Sequence, residues 1–373
     1  MPGMAPLKPV ARNPFTASFG VPNEATLVGR QAEIAYFLQG LEDLPGSTYR
    51  AISIVGPRGV GKTTLLNNML DQARRIGWIG VAVTAGPGMA EHILDKASLA
   101  AEDLLDPGPK RRLTGISVAG FSLQTQAVSP ETPSWWRRIN TLLDVLEEHN
   151  SGLVIAIDEV HRDEPELRPF FQRYQELVND GRNVSIIMAG LPDAVESVLS
   201  AYALTFIQRA YRIMLSTLDL TMVQEAYQNV FTDNGKQISD AVAALAATAS
   251  EGYPYMYQLI GYHTWRSAAD SDTVTKLHVT SALEPAHDLA GRNLFELEIK
   301  SLTDRELDFL NAMLEDEVVS RTVDISKRLG ISQENAYYYR NRLIAHGLVR
   351  PPKRGSIAFV SEYLRSYLSA REH

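Results

Sequence analysis

"AISIVGPRGVGKTTLLNNML", residues 51–70, runs from an apolar stretch through three glycines and a lysine into a segment with helical spacing. Gly56, the four residues Pro57, Arg58, Gly59 and Val60, and then Gly61-Lys62-Thr63 satisfy the pattern GxxxxGK[ST], with Thr64 following. Glycines let the backbone curl so that its N–H groups converge on phosphate oxygens. A helix from about Lys62 to Ile76 would offer its positive end to the same anion. Lys62 is placed to reach the β- and γ-phosphates of a nucleotide and Thr63 to ligate Mg²⁺, so ATP or ADP with Mg²⁺ are the expected cofactors.

Hydrolysis needs a second element, and "LVIAIDEVH" (153–161) supplies it. Leu153–Ile157 is continuously apolar, as in a strand buried on both faces of a parallel sheet. Asp158 at its end can hold the magnesium through water, and Glu159 is placed to polarise the attacking water. Both acids sit where ligands gather in open α/β sheets, outside the carboxyl ends of strands. "WIGVAVT" (78–84), "VSIIMAG" (184–190) and "YRIML" (211–215) alternate with helical stretches. The fold class is therefore an α/β P-loop NTPase with a doubly wound parallel sheet.

With 373 residues the chain exceeds one hydrophobic core, so several domains are expected. At 45% hydrophobic and 21% charged residues it reads as an ordinary globular protein. Zero cysteines exclude disulfides and thiolate metal sites. The eight histidines are scattered without an HExxH, which argues against zinc. No apolar run is long enough to span a bilayer, and "MPGMAPLKPVARNPF" lacks an apolar h-region. A cytoplasmic location without membrane contact is expected.

The net charge of −8 is uneven. Residues 301–373 hold 11 Lys/Arg against 10 Asp/Glu, whereas residues 1–300 hold 25 against 34. From Ile331 to Gly355, Arg340, Arg342, Arg350, Lys353 and Arg354 face a single acid, Glu334. Such a local cluster matters more than the global sign for a nucleic-acid partner.

Several motifs together resemble bacterial AAA+-type ATPases related to origin-recognition initiators and STAND signalling ATPases. They are "NPF" (13–15), "LVGRQAE" (27–33), the two motifs above, "AGLPD" (189–193), "EGYPYMYQLIGYHTW" (251–265) and "RNRLIAHGLVRPPKRGSIAF" (340–359). The resemblance implies that Val28, Gly29 and Arg30 lie near the adenine and that Gly252 and Pro254 belong to a lid over the nucleotide. It also implies that Arg209 faces a neighbouring subunit's nucleotide, hence a homo-oligomer. Two departures stand out: "VSIIMA" is followed by Gly190 rather than a polar residue, and "GYPYMYQL" carries no arginine. Both point to slow hydrolysis, a switch more than a motor.

The remaining organisation follows from periodicity. Residues 1–26 read as an extended arm and 27–217 as the ATPase domain, with a hairpin insertion about 113–128. Residues 218–300 read as an all-helical lid and 301–373 as a winged helix-turn-helix. Thr303 and Glu306 form a capping box, while Ser134 and Ser332 are positioned as N-caps. Helix 333–346 turns Ala336, Leu343 and Ile344 inward and Gln333, Tyr337, Arg340 and Asn341 outward. With Lys353 and Arg354 at the wing tip, these residues form a candidate surface for double-stranded DNA. Three readings remain open: an ATP-dependent DNA-binding protein, a STAND-like switch whose winged helix packs on protein, and a structural ADP binder.

Overall fold

The computed structural model describes residues 12–16, 28–105, 134–161, 164–201 and 208–371. The hairpin expected at 113–128 lies outside them. Two compact units emerge: residues 30–56 with 62–214, and residues 215–373 with the amino-terminal arm and residues 57–61.

The first unit is a five-stranded sheet. Its strands are β1 (Ala51–Val55), β2 (Ile79–Thr84), β3 (Leu153–Asp158), β4 (Val184–Gly190) and β5 (Tyr211–Met214), in the order β2-β3-β4-β1-β5. Every pairing is parallel. Parallel strands are covered on both faces, which explains why β1 and residues 184–190 of β4 are buried throughout. The covering helices are α1 (Gln31–Glu42), α2 (Lys62–Arg75), α3 (Met89–Leu105), α4 (Trp135–Glu148), α5 (Leu167–Asn179) and α6 (Pro192–Ala201). Leu167, Phe170, Phe171, Tyr174 and Leu177 of α5 recur at three- and four-residue spacing and are all buried. Ser134 occupies the N-cap position of α4, yet its side chain makes no capping bond.

Arg50 anchors the start of β1. Only 4% exposed, it donates from Nε to the Gly40 carbonyl at 2.8 Å and from Nη2 to the Leu41 carbonyl at 3.0 Å. It also donates to the Asp43 carbonyl, and its guanidinium stands 5.1 Å from the centre of the Trp78 ring. One buried arginine thereby satisfies carbonyls that the end of α1 leaves open.

The second unit begins with helices α7 (Leu220–Asp233), α8 (Asp240–Ala249), α9 (Pro254–Ser267) and α10 (Lys276–Ala290). A π-helical turn, Gly291–Phe295, leads into α11 (Glu296–Ser301). The expectation of helices alone is corrected by two short paired strands, β6 (Gln237–Ile238) and β7 (Thr273–Val274). Two residues per strand are too few to leave a period-2 signal in the sequence.

The arm is fastened to this unit by its "NPF". The Phe15 ring packs against Tyr227, Phe231 and Tyr257, and Asn13 Nδ2 donates to the Tyr262 carbonyl at 3.1 Å. Gly261 on α9 makes room, since a Cβ there would lie 2.3 Å from the Phe15 ring.

The chain ends with α12 (Asp304–Leu314), β8 (Ser320–Arg321), α13 (Thr322–Arg328), α14 (Gln333–Ala345), β9 (Val349–Arg350), β10 (Ser356–Phe359) and α15 (Glu362–Arg371). The strands form a sheet in the order β8-β10-β9. Thr303 and Glu306 make the capping box, and the Ser332 hydroxyl accepts from the Asn335 N–H. Helix, helix-turn-helix and hairpin in this sequence are compatible with a winged helix. Among the described residues no helix is long and apolar enough to cross a membrane.

Arg50→Met keeps an apolar stem over Trp78 but leaves buried carbonyls unpaired. Urea unfolding should register a loss of about 2–4 kcal/mol for the sheet-bearing unit. A change below about 0.5 kcal/mol would mean that those carbonyls do not depend on Arg50.

Candidate functional site

Within the sheet-bearing unit, β1 delivers the chain at Val55 to a buried Gly56, and α2 begins at Lys62. Lys62 Nζ donates to the Gly56 carbonyl at 2.9 Å, which folds the ammonium across the mouth of the loop. Thr63 Oγ1 donates to Asp158 Oδ2 at 2.6 Å, although the two residues lie 95 positions apart. The other oxygen of Asp158 accepts from the Glu159 N–H at 2.9 Å. A hydroxyl and a carboxylate side by side are hard oxygen donors that fit Mg²⁺. Glu159 is exposed and has φ +54°, in the left-handed region that glycine favours. That turn brings Val160 back to the sheet, where its N–H donates to the Ala189 carbonyl at 2.9 Å.

In the loop, Gly59 (φ +77°) and Gly61 (φ +91°) take backbone conformations that side chains rarely tolerate. Val60, 2% exposed, pins the loop between them. Residues 57–61 pack within the helical unit. The Tyr255 N–H donates to the Gly59 carbonyl at 3.3 Å, and a Cβ on Gly61 would stand 3.9 Å from Pro254 Cβ. Gly252 (φ +72°) shapes the entry to α9, because a Cβ there would lie 2.2 Å from the Leu218 carbonyl oxygen. Pro254 thus stands beside Gly61, whereas Gly252 packs against the backbone of Leu218.

Val28 and Arg30 are half-buried. Burial lowers the basicity of Arg30 against the opposing influence of Glu33, 3.7 Å away. Gly29 (φ +68°) could not carry a side chain without displacing Met222, whose sulfur would stand 2.9 Å from its Cβ. Thr64 is half-buried in the first turn of α2.

Leu294, Glu298 and Met222 were not marked by the sequence. A Cβ on Gly59 would meet Leu294 of the π-helical turn at 3.2 Å, and Arg58 pairs with Glu298 at 2.5 Å. The π-helical turn is itself a local irregularity of the kind that gathers at functional sites. No motif announces it, because its partners lie over 230 positions away.

Arg209 is exposed, just ahead of β5. The register Ile52↔Tyr211 sets it level with Arg50, at the amino end of β1. At about 3.3 Å per residue it stands on the order of 17 Å from the strand end that feeds the loop. It therefore does not join Lys62 and Asp158.

On α14, Gln333, Tyr337 and Asn341 are exposed, and Lys353 and Arg354 are exposed between β9 and β10. Ala336 and Leu343 are buried as expected. Arg340 is only half-buried, with Nη1 donating to Asn341 Oδ1 at 3.0 Å, and Ile344 is likewise half-buried. Tyr338, which helical spacing did not single out, is 55% exposed.

A family model for the AAA ATPase domain matches residues 26–187, and one for a domain of unknown function matches residues 292–368. A search of curated proteins gives no match. Among solved structures, a Walker-type ATPase of Pyrococcus abyssi is 18% identical, with a TM-score of 0.64 over 92% of this chain and 96% of that one. The ORC2 protein of Aeropyrum pernix in its ADPNP–ADP complexes is 14% identical, with a TM-score of 0.58 over 94% of each chain. Its ADP form is 15% identical, with a TM-score of 0.53 over 99% of this chain and 96% of that one. Residues 26–187 thus match the AAA ATPase domain model, and the chain shares the fold of these Walker-type ATPase and ORC2 structures.

Lys62→Ala should abolish tight ATP binding, while Glu159→Gln should retain it and lose turnover, if the one residue serves the ground-state phosphates and the other the water, as the sequence motifs lead one to expect. Fluorescent-nucleotide titration and phosphate release measure the two separately. Normal turnover in Glu159→Gln would remove Glu159 as the base.

Proposed function

We propose that the chain is an ATP-binding, slowly hydrolysing switch whose nucleotide state controls self-assembly and the grip of a C-terminal winged helix on double-stranded DNA. The observation that carries this reading is the convergence of Lys62, Thr63 and Asp158 at the end of β1 and β3, with Glu159 adjoining. The backbone N–H groups of the loop and Lys62 would hold the phosphates. Mg²⁺, held by Thr63 and, through water, by Asp158, would neutralise phosphate charge. Glu159 would orient and polarise the attacking water. Gly190 offers no side chain at the end of β4 to assist, which supports a low rate. The ADPNP and ADP complexes of the A. pernix ORC2 fold relative support the choice of adenine nucleotide.

Arg209 fits a role in trans, since its own phosphate loop is out of its reach. An arginine supplied by a neighbour can raise phosphoryl-transfer rates by several orders of magnitude. Arg209→Ala should leave nucleotide affinity nearly intact and remove any rise of specific ATPase activity with protein concentration. Wild-type specific activity that is independent of concentration would exclude the trans role.

The exposed polar face of α14 and the paired cations behind Pro351-Pro352 support the DNA reading. Reversing the wing tip with Lys353→Glu and Arg354→Glu should weaken binding to all duplex sequences alike. It should also lower the salt dependence by about two phosphate contacts. Unchanged binding at moderate salt would remove the wing from the interface. A second reading, the STAND-like lock, is favoured by the packing of the C-terminal module on the helices of its own unit. The Tyr253 hydroxyl donates to the Val360 carbonyl at 3.3 Å, and the Tyr363 hydroxyl donates to the Ala249 carbonyl. No duplex binding by the wild type in either nucleotide state would decide for the lock.

A further inference from the structure

Three charged groups from distant parts of the sequence meet in the second unit. Arg58 Nη2, in the phosphate loop, donates to Glu298 Oε1 at 2.5 Å. Glu298 Oε2 lies 3.2 Å from Nδ1 of His346. His346 is the residue that closes α14, the helix carrying the candidate DNA surface. The side chains of Glu298 and His346 are 18% and 23% exposed, that of Arg58 42%. One carboxylate therefore spends one oxygen on the phosphate loop and the other on the helix-turn-helix.

We infer that Glu298 is a shared counter-charge: an anion in the phosphate loop competes with it for Arg58, and the bond that seats α14 through His346 eases that competition by drawing on the same carboxylate. The inference rests on the reading that this loop binds nucleotide. An acid set beside a phosphate loop opposes the negative charge the loop is built to receive. It also occupies the loop's own guanidinium, a group suited to paired bonds with phosphate oxygens. The bond with His346, and then the charge of Arg58, hold the Glu298 carboxyl below the usual carboxylate range despite its burial. It is therefore ionised at neutral pH. Phosphate oxygens that draw Arg58 away leave Glu298 with His346 alone, which alters what holds the end of α14. Linkage makes the effect reciprocal: whatever draws His346 away strengthens the hold of Glu298 on Arg58.

The sign of the effect separates this role from simple support of the loop. If Glu298 merely propped Arg58 in place, removing its charge would weaken nucleotide binding. If it competes with phosphate, removing its charge tightens binding. The experiment is equilibrium titration of the full-length chain with a fluorescent ADP and a non-hydrolysable ATP analogue, with thermal melts confirming that each variant folds. Glu298→Gln should bind the ATP analogue about two- to fivefold more tightly, as expected for loss of one partly exposed ion pair. His346→Ala should weaken binding about two- to threefold, and only where Glu298 is present, so that the double variant matches Glu298→Gln. Should Glu298→Gln not fold, Arg58→Lys tests the same competition: it should reduce the gain from Mg²⁺-nucleotide over inorganic phosphate. Unchanged or weaker affinity in Glu298→Gln overturns the inference. An effect of His346→Ala that persists without Glu298 removes the link to α14. A wild-type chain that binds neither nucleotide overturns the phosphate-loop reading itself, a distinct outcome visible before any variant is made.

Discussion

The constraint that shapes the acidic corner lies at the carboxyl end of β4, which sits between β1 and β3. A Cβ at Gly190 would stand 2.9 Å from the Val160 carbonyl oxygen and 2.9 Å from the Val195 side chain. Val160 occupies that space because Glu159 turns the chain through the left-handed region and the Val160 N–H reaches the Ala189 carbonyl. A side chain at position 190 would push this backbone outward and carry Asp158 and Glu159 with it. The missing polar residue at the end of this strand thus has a steric cause. Asp158 instead comes close enough, over the bare end of β4, to accept from Thr63.

The same corner stores strain next to its acids. A non-glycine residue in the left-handed region costs about 1–2 kcal/mol, and at Glu159 that cost is offset by the hydrogen bonds of its own N–H to Asp158 and of Val160 to Ala189. Strain of this kind persists only where surrounding contacts over-determine the backbone, and it gathers at functional sites. The turn aims the Glu159 side chain out of the sheet, into solvent. That exposure suits the role on water proposed for Glu159, whereas Asp158, one residue earlier, sits at the half-buried end of the strand.

What the sequence made legible depended on how local its cause was. Continuous apolar runs marked β1, β3 and β4, because parallel strands are buried on both faces. The capping box at Thr303 and Glu306 and the cap at Ser332 were readable because each bond spans three residues. The glycines and lysine of the loop were readable because backbone shape and chemistry coincide in nine residues. Ser134 shows the limit: it takes the right position before α4 but makes no bond. Contacts such as Arg58 with Glu298, 240 positions apart, left no mark, since nothing near either residue requires the other. The seat of Phe15 was likewise unreadable. Gly261 is its only trace, and a lone glycine inside a helix has many possible causes.

Electrostatics explains how an anion site can sit in an acidic chain. Residues 1–300 hold 25 Lys/Arg against 34 Asp/Glu, so the far field there is repulsive to phosphate. Exposed charges beyond about 8–10 Å are largely screened at physiological salt, so the far field sets approach more than affinity. At contact range the loop offers backbone N–H groups, the end of α2 and Lys62, whose Nζ donates to the Gly56 carbonyl, while Arg58 pairs with Glu298. The Gly56 carbonyl that accepts from Lys62 is a neutral group. Arg58 turns to Glu298, a charged partner that a phosphate must outbid, and that exchange disturbs a neighbour that touches the C-terminal module.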